Sequence, residues 1–388
     1  MEIRTRFGVI IGLWAAGLGA AAQFGKISVS FSLLADVYGT TGAALGFVVS
    51  LVGLVGIIFG VTAGLIVAQV GYRRALIAAL VLGAIASTYQ ATLPSLAMLL
   101  ASRPVEGASH LAIVVAVPTL ISQLSEPRHR GLTLSLWSTF FGVAFAILVW
   151  FGLPLARAYG VSALFVAHSV YMAGIAWIVW VLLPHDVIIP GHKVLKLKGI
   201  AQEHMRIYRS PNISAPGLGW VCYAGAFVAI LTIMPTFMEP AARSLIIGGM
   251  PLAGIASSMT LGVWLLQRIA AYRIIQIGFI ACLTFSVAVW TAPDQIWAYF
   301  GLALSMGLIQ GASFAAVPQL NRDPQGQAQA NGALAQMGNL GTTFGTPILA
   351  GLVGFAGING FLIFTVVLFL VGITVHAVLA HRRRCAEI

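Results

Sequence analysis

Arg103-Pro104-Val105-Glu106-Gly107-Ala108-Ser109-His110 places three ionisable side chains inside a long apolar run. Arg103, Glu106 and His110 recur at spacings of three and four, so an α-helix carries them on one face. Charge in a hydrocarbon layer is costly, and such groups normally face a partner or a water-filled path. The chemistry open to them is binding of an anion, exchange of a proton, or both. The plainer alternative is an Arg103–Glu106 pair that only ties neighbouring helices together. A second stretch, Gln23, Lys26 and Ser30, repeats the one-face spacing near the start of the chain.

The elements that must carry these residues are membrane spans. The chain has 388 residues, 59% hydrophobic and only 8% charged, with a mean hydropathy of +0.97. Soluble domains carry about 25% charged residues. Apolar stretches near 7–34, 44–66, 74–93, 95–123, 132–154, 162–183, 214–238, 243–266, 273–291, 295–320, 331–354 and 358–380 each approach the length that crosses a bilayer. They predict an all-α membrane protein of twelve transmembrane helices in two pseudo-symmetric six-helix bundles. The N-terminal bundle is expected at 1–183, a cytoplasmic linker at 184–213 and the C-terminal bundle at 214–388. The run after Met1–Arg6 is expected to stay as the first span, since nothing there resembles a cleavable leader.

The net charge of +11 does not point to nucleic acid, because the charges sit in short loops. All 21 Lys and Arg residues except Lys26, Arg103, Arg157 and Arg243 lie on what becomes one side. The positive-inside rule makes that side, with both termini and the linker, cytoplasmic. A bacterial inner membrane is the expected location, with the lipid bilayer as partner. Cys222, Cys282 and Cys385 have no paired or metal-ligand spacing, so no cofactor is expected. No phosphate-cradling Gly-x-x-x-x-Gly-Lys-Ser/Thr loop occurs, and neither do His-Glu-x-x-His or Gly-x-Ser-x-Gly. ATP hydrolysis and hydrolytic catalysis are therefore not expected, and no enzyme is predicted.

The halves repeat one another. Glu106-Gly107-Ala108-Ser109-His110 is matched by Gln310-Gly311-Ala312-Ser313-Phe314, and Ala116-Val117-Pro118 by Ala316-Val317-Pro318. Gly64, Gln69, Tyr72 and Arg73 are echoed by Gly262, Gln267, Tyr272 and Arg273, all at offsets of about 200 residues. Repeats of this kind build many secondary transporters. Twelve spans, a 6+6 repeat and a central loop resemble the major facilitator superfamily over essentially the whole chain. Its loop signature Gly-x-Leu-x-Asp-x-x-Gly-x-Arg-Arg survives as Gly64, Gly71, Arg73 and Arg74, a gating loop by that resemblance. Ile66 and Ala68 replace its Leu and Asp. The Gly-Pro-Gly-Gly pattern of drug/proton antiporters is missing from residues 138–154.

The resemblance implies that the first, fourth, seventh and tenth helices line the central cavity. Lys26 and Arg103 both lie about eight residues, roughly 12 Å, from the outer end. One cation can be offset by Glu106, and the other is left for a ligand, most simply a carboxylate. Alternatively, Lys26 snorkels to the outer interface. The expected substrate site is Gln23, Lys26, Arg103, Tyr223, Gln310 and Ser313, with Glu106 and His110 coupling protons. His168 and His376 lie on helices that the resemblance makes peripheral and are expected to be structural. The leading expectation is a monomeric, proton-coupled importer of a small organic anion. The alternative is proton-antiport efflux of a metabolite or amphipathic drug.

Overall fold

The computed structural model describes residues 5–39, 43–183 and 197–386, and the chain divides into two compact units, Met1–Val194 and Leu195–Ile388. Unit 1 runs α1 (Phe7–Val29), α2 (Phe31–Tyr38), α3 (Ala43–Ser50), α4 (Leu54–Val70), α5 (Tyr72–Ala91), α6 (Leu96–Gln123), α7 (Arg130–Ser138), α8 (Phe140–Ile147), α9 (Leu153–Tyr159) and α10 (Val161–Leu182). Unit 2 runs α11 (Leu197–Arg209), α12 (Ser214–Ile233), α13 (Pro240–Ser257), α14 (Val263–Leu266), α15 (Ala271–Thr291), α16 (Ile296–Leu320), α17 (Pro324–Ala356) and α18 (Ile358–Ala386).

Among the described residues, ten helices are long and apolar enough to cross a membrane. The protein is thus an all-α, multi-pass membrane protein. The expected stretch 44–66 is covered by α3, a 3₁₀ turn at Leu51–Gly53 and α4, and 331–354 falls within α17. Both are helical but fall outside the ten.

Two expectations need correction. The run 7–34 is not one helix: it breaks at Ser30, whose hydroxyl turns back to donate to the Lys26 carbonyl at 2.6 Å. The linker is not uniformly loop, since α11 occupies Leu197–Arg209, and 184–196 lie outside the described residues.

Local chemistry explains the helix ends that matter for the site. Gly71, at φ 97°, sits in a conformation open to glycine, and its N–H closes the end of α4 on the Val67 carbonyl while α5 starts beyond it. Asp323 caps α17 by accepting from the Gly326 N–H at 2.7 Å, with Pro324 in the first turn. Helix α6 packs against α1, α4 and α5. A side chain at Gly107 would collide with the Val52 carbonyl, so glycine lets α6 reach the 3₁₀ turn.

Candidate functional site

Four helices bring their polar residues together inside unit 1. From α1 comes Lys26, from α6 Arg103 and Glu106, and from α5 and α10 the groups Ser87, Gln90 and His168. Lys26, Arg103 and Glu106 are all fully buried. Lys26 Nζ donates to Glu106 Oε1 at 2.6 Å, and Arg103 Nη1 donates to Glu106 Oε2. One carboxylate therefore serves two cations. Gln90 Nε2 gives the carboxylate a third donor, at Oε2, at 2.7 Å.

Each cation is otherwise satisfied by neutral acceptors. Arg103 donates from Nε to the Val48 carbonyl at 2.7 Å and from Nη2 to the Gln23 carbonyl at 2.8 Å. Val48 lies in the last turn of α3, where helix carbonyls lose their intrahelical partners. Lys26 Nζ reaches Ser87 Oγ at 2.7 Å and His168 Nδ1 at 3.3 Å, so three N–H groups meet three acceptors. His168 Nε2 lies 3.0 Å from the Gly19 carbonyl. A carbonyl only accepts, so Nε2 carries the hydrogen and Nδ1 of the neutral ring is an acceptor. The formal count with neutral histidines is two positive charges against one negative, sealed from solvent.

The other expected site residues fall around this cluster or away from it. The Gln23 amide donates to Ser109 Oγ at 2.8 Å, and Ser109 donates to the Ala79 carbonyl at 2.7 Å. Gln23 Oε1 is buried with no hydrogen-bond partner among the described residues. His110 is not brought to the ions: its Nδ1 donates to the Ala20 carbonyl at 2.9 Å and its ring meets Phe24 edge-on. His168, expected on a peripheral helix, stands in the cluster instead. Ser87, Gln90 and His168 are the members that the sequence reading missed. The signal that could have found them is the polar pair at i, i+3 on the third span and a histidine in the apolar sixth.

In the segment expected to form a gating loop, Arg73 is buried and meets helix carbonyls. Its Nε donates to Leu183 O at 3.0 Å and Nη2 to Trp180 O at 2.7 Å, closing the C-terminal end of α10. Gly64 is buried in α4, Gly71 makes the turn, and Arg74 is exposed at the start of α5.

Unit 2 gathers its expected residues into a neutral group. Tyr223 donates its hydroxyl to Gln310 Oε1 at 2.8 Å, and both are buried. Tyr223 stacks on Trp220 at 4.4 Å and on Phe227 at 5.6 Å, and Trp220 meets Phe314 edge-on. Ser313 turns back to the Ile309 carbonyl of its own helix.

Apolar helices around sequestered ionisable groups define a polytopic membrane transporter. Residues 10–323 match the Major Facilitator Superfamily, and the chain belongs to that family of transporters, not to an enzyme family. The inner membrane transport protein YajR of Escherichia coli (strain K12) is 23% identical over 198 residues, covering 51% of this chain and 42% of YajR. The match thus spans about two fifths of that relative. The crystal structure of the transporter FucP in the outward conformation superposes with a TM-score of 0.74 at 15% identity, over 96% of this chain and 98% of FucP. The human organic anion transporter MFSD10 (TETRAN) gives 0.76 at 14% identity, over 95% and 98%. At such identities the likeness is one of fold.

Proposed function

We propose that the chain is a secondary transporter that moves a small organic anion together with a proton across a bacterial inner membrane. In this reading it works as a monomer with twelve spans in two six-helix halves, both termini cytoplasmic. The observation that carries the reading is the buried trio in which Lys26 and Arg103 share the single carboxylate of Glu106.

An isolated excess charge inside a protein costs several kcal/mol even after relaxation. The trio reaches neutrality in two ways: it gains an anion, or it gives up the proton that bridges Lys26 and Glu106. A loaded carrier holding both anion and proton is neutral, and so is an empty carrier holding neither. Both can reorient without an uncompensated charge, and the mixed states cannot. That rule is symport. Lys26 and the Arg103 fork are the natural pair for a carboxylate. In this reading His168 Nδ1 receives the Lys26 proton, and Gln23, Gln310 and Tyr223 supply neutral hydrogen bonds to the substrate. His110 stands as a coupling group of the second rank, one turn from Glu106. Among the structural relatives, FucP is described as a fucose:proton symporter and MFSD10 as an organic anion transporter.

The test is uptake by proteoliposomes of radiolabelled carboxylic acids and their matched amides, under an acid-outside gradient. The reading expects the acids to accumulate with the gradient and the amides not to. Equal accumulation of both, or accumulation indifferent to the gradient, overturns it. Export driven by proton entry would identify the antiport alternative.

A further inference from the structure

At one end of unit 2 lies a cavity of about 660 Å³, where α15 begins, α16 and α18 end, and the segment after α11 passes. Its wall carries Arg322, Arg383 and Arg384 against one carboxylate, Asp323. That carboxylate is already engaged in capping α17. Arg383 is fixed in the wall: Nη1 donates to the Pro211 carbonyl at 2.9 Å, and the guanidinium lies 5.3 Å from the Tyr272 ring centroid. Arg322 and Arg384 are exposed, and Arg322 lies two residues beyond the end of α16. The cavity thus has a rigid cationic back and two adaptable cationic arms.

We propose that this cavity binds the phosphate of an anionic phospholipid of the cytoplasmic leaflet. Guanidinium forks match phosphate oxygens in pairs. The volume falls in the range of small-molecule sites. The cavity sits where spanning helices end, so a headgroup can enter while its acyl chains stay in the bilayer. The cytoplasmic leaflet is the anionic one, and basic pockets between helices at that face suit acidic headgroups. Only the choice of leaflet rests on the proposed orientation; phosphate recognition does not rest on transport. The site is distinct from the ion cluster of unit 1, so loss of either leaves the other to be tested separately.

The purified full-length chain is examined by native mass spectrometry with phosphatidylglycerol, phosphatidylcholine and inorganic phosphate as separate probes. Phosphatidylglycerol is expected to stay bound in preference to phosphatidylcholine. Arg322→Ala and Arg384→Ala should each weaken retention roughly fivefold, from the worth of one arginine at an anionic surface. The exposed Arg157→Ala, in unit 1, should leave it unchanged. The pair R322K/R384K keeps the charge and should lose less than the alanine pair, which separates lost charge from lost fold. Native-like retention by R322A/R384A overturns the proposal. Equal binding of inorganic phosphate also overturns it, assigning the cavity to a soluble phosphate compound.

Discussion

The same helix is built twice in this chain and filled differently. In α6 the order is Glu106-Gly107-Ala108-Ser109-His110, and in α16 it is Gln310-Gly311-Ala312-Ser313-Phe314. The ring that follows the shared Gly-Ala-Ser meets an aromatic partner edge-on in both, His110 on Phe24 and Phe314 on Trp220. The position before it diverges. Glu106 draws in Lys26, Arg103 and Gln90, whereas Gln310 accepts from the neutral Tyr223 hydroxyl. Ser109 reaches across to α5, and Ser313 bonds back to its own helix. Unit 2 shows that this helix packs well with neutral groups. The repeat by itself thus does not call for ions at this position, and their cost in unit 1 argues for a use.

Removing the shared counter-charge should separate the halves most. Glu106→Gln leaves two buried cations unpaired and is expected to cost about 3–5 kcal/mol, read as a lowered unfolding midpoint in detergent. A midpoint close to native would mean that the cations are not both charged. Next come the echoed arginines. Arg73→Ala removes the charged donor that meets the Leu183 and Trp180 carbonyls and should cost about 1.5–3 kcal/mol. Arg273→Ala, which loses an exposed contact to the Tyr272 hydroxyl, should stay within about 0.5 kcal/mol. Equal losses would erase that contrast.

In unit 2, Tyr223→Phe keeps the aromatic stack but deletes the donor to Gln310, for an expected loss of about 1 kcal/mol. The smallest effect concerns Glu126, in the loop between α6 and α7. The Thr5 backbone N–H, with Arg128 beside it, holds this carboxyl below the usual carboxylate range. A depressed value means that the tether is at full strength above the ordinary carboxylate pKa. It is lost as pH falls through the lowered one. The protection of the Thr5 and Arg6 amides, taken as exchange relative to the intrinsic rate at each pH, should fall on acidification, and Glu126→Gln should flatten that dependence.

Much of unit 1's site could be read from the chain alone. The i, i+3 spacing gave the Arg103–Glu106 pair, and matching depth put Lys26 in the same layer. The sequence could not say that one carboxylate would hold both cations, because that depends on how closely α1 and α6 approach. Nor could it supply Ser87 and His168, which meet Lys26 from 61 and 142 residues away. The resemblance makes the helix of His168 peripheral, yet a long lysine side chain reaches past its own neighbours to meet it. The break at Ser30 was hidden for a different reason. No proline or glycine marks it, and the apolar pattern runs straight on through Phe31 to Leu34. Between α4 and α5, Gly71 announces its turn, whereas the Leu183 and Trp180 carbonyls that Arg73 meets carry no signature.

The decisive measurement is gradient-driven accumulation of a carboxylate by proteoliposomes containing Lys26→Gln. Without Lys26, the Arg103–Glu106 pair is neutral and has no charge to trade for an anion or a proton. The account predicts that accumulation disappears while the protein remains folded. Accumulation at the native level, still driven by the proton gradient, would contradict it.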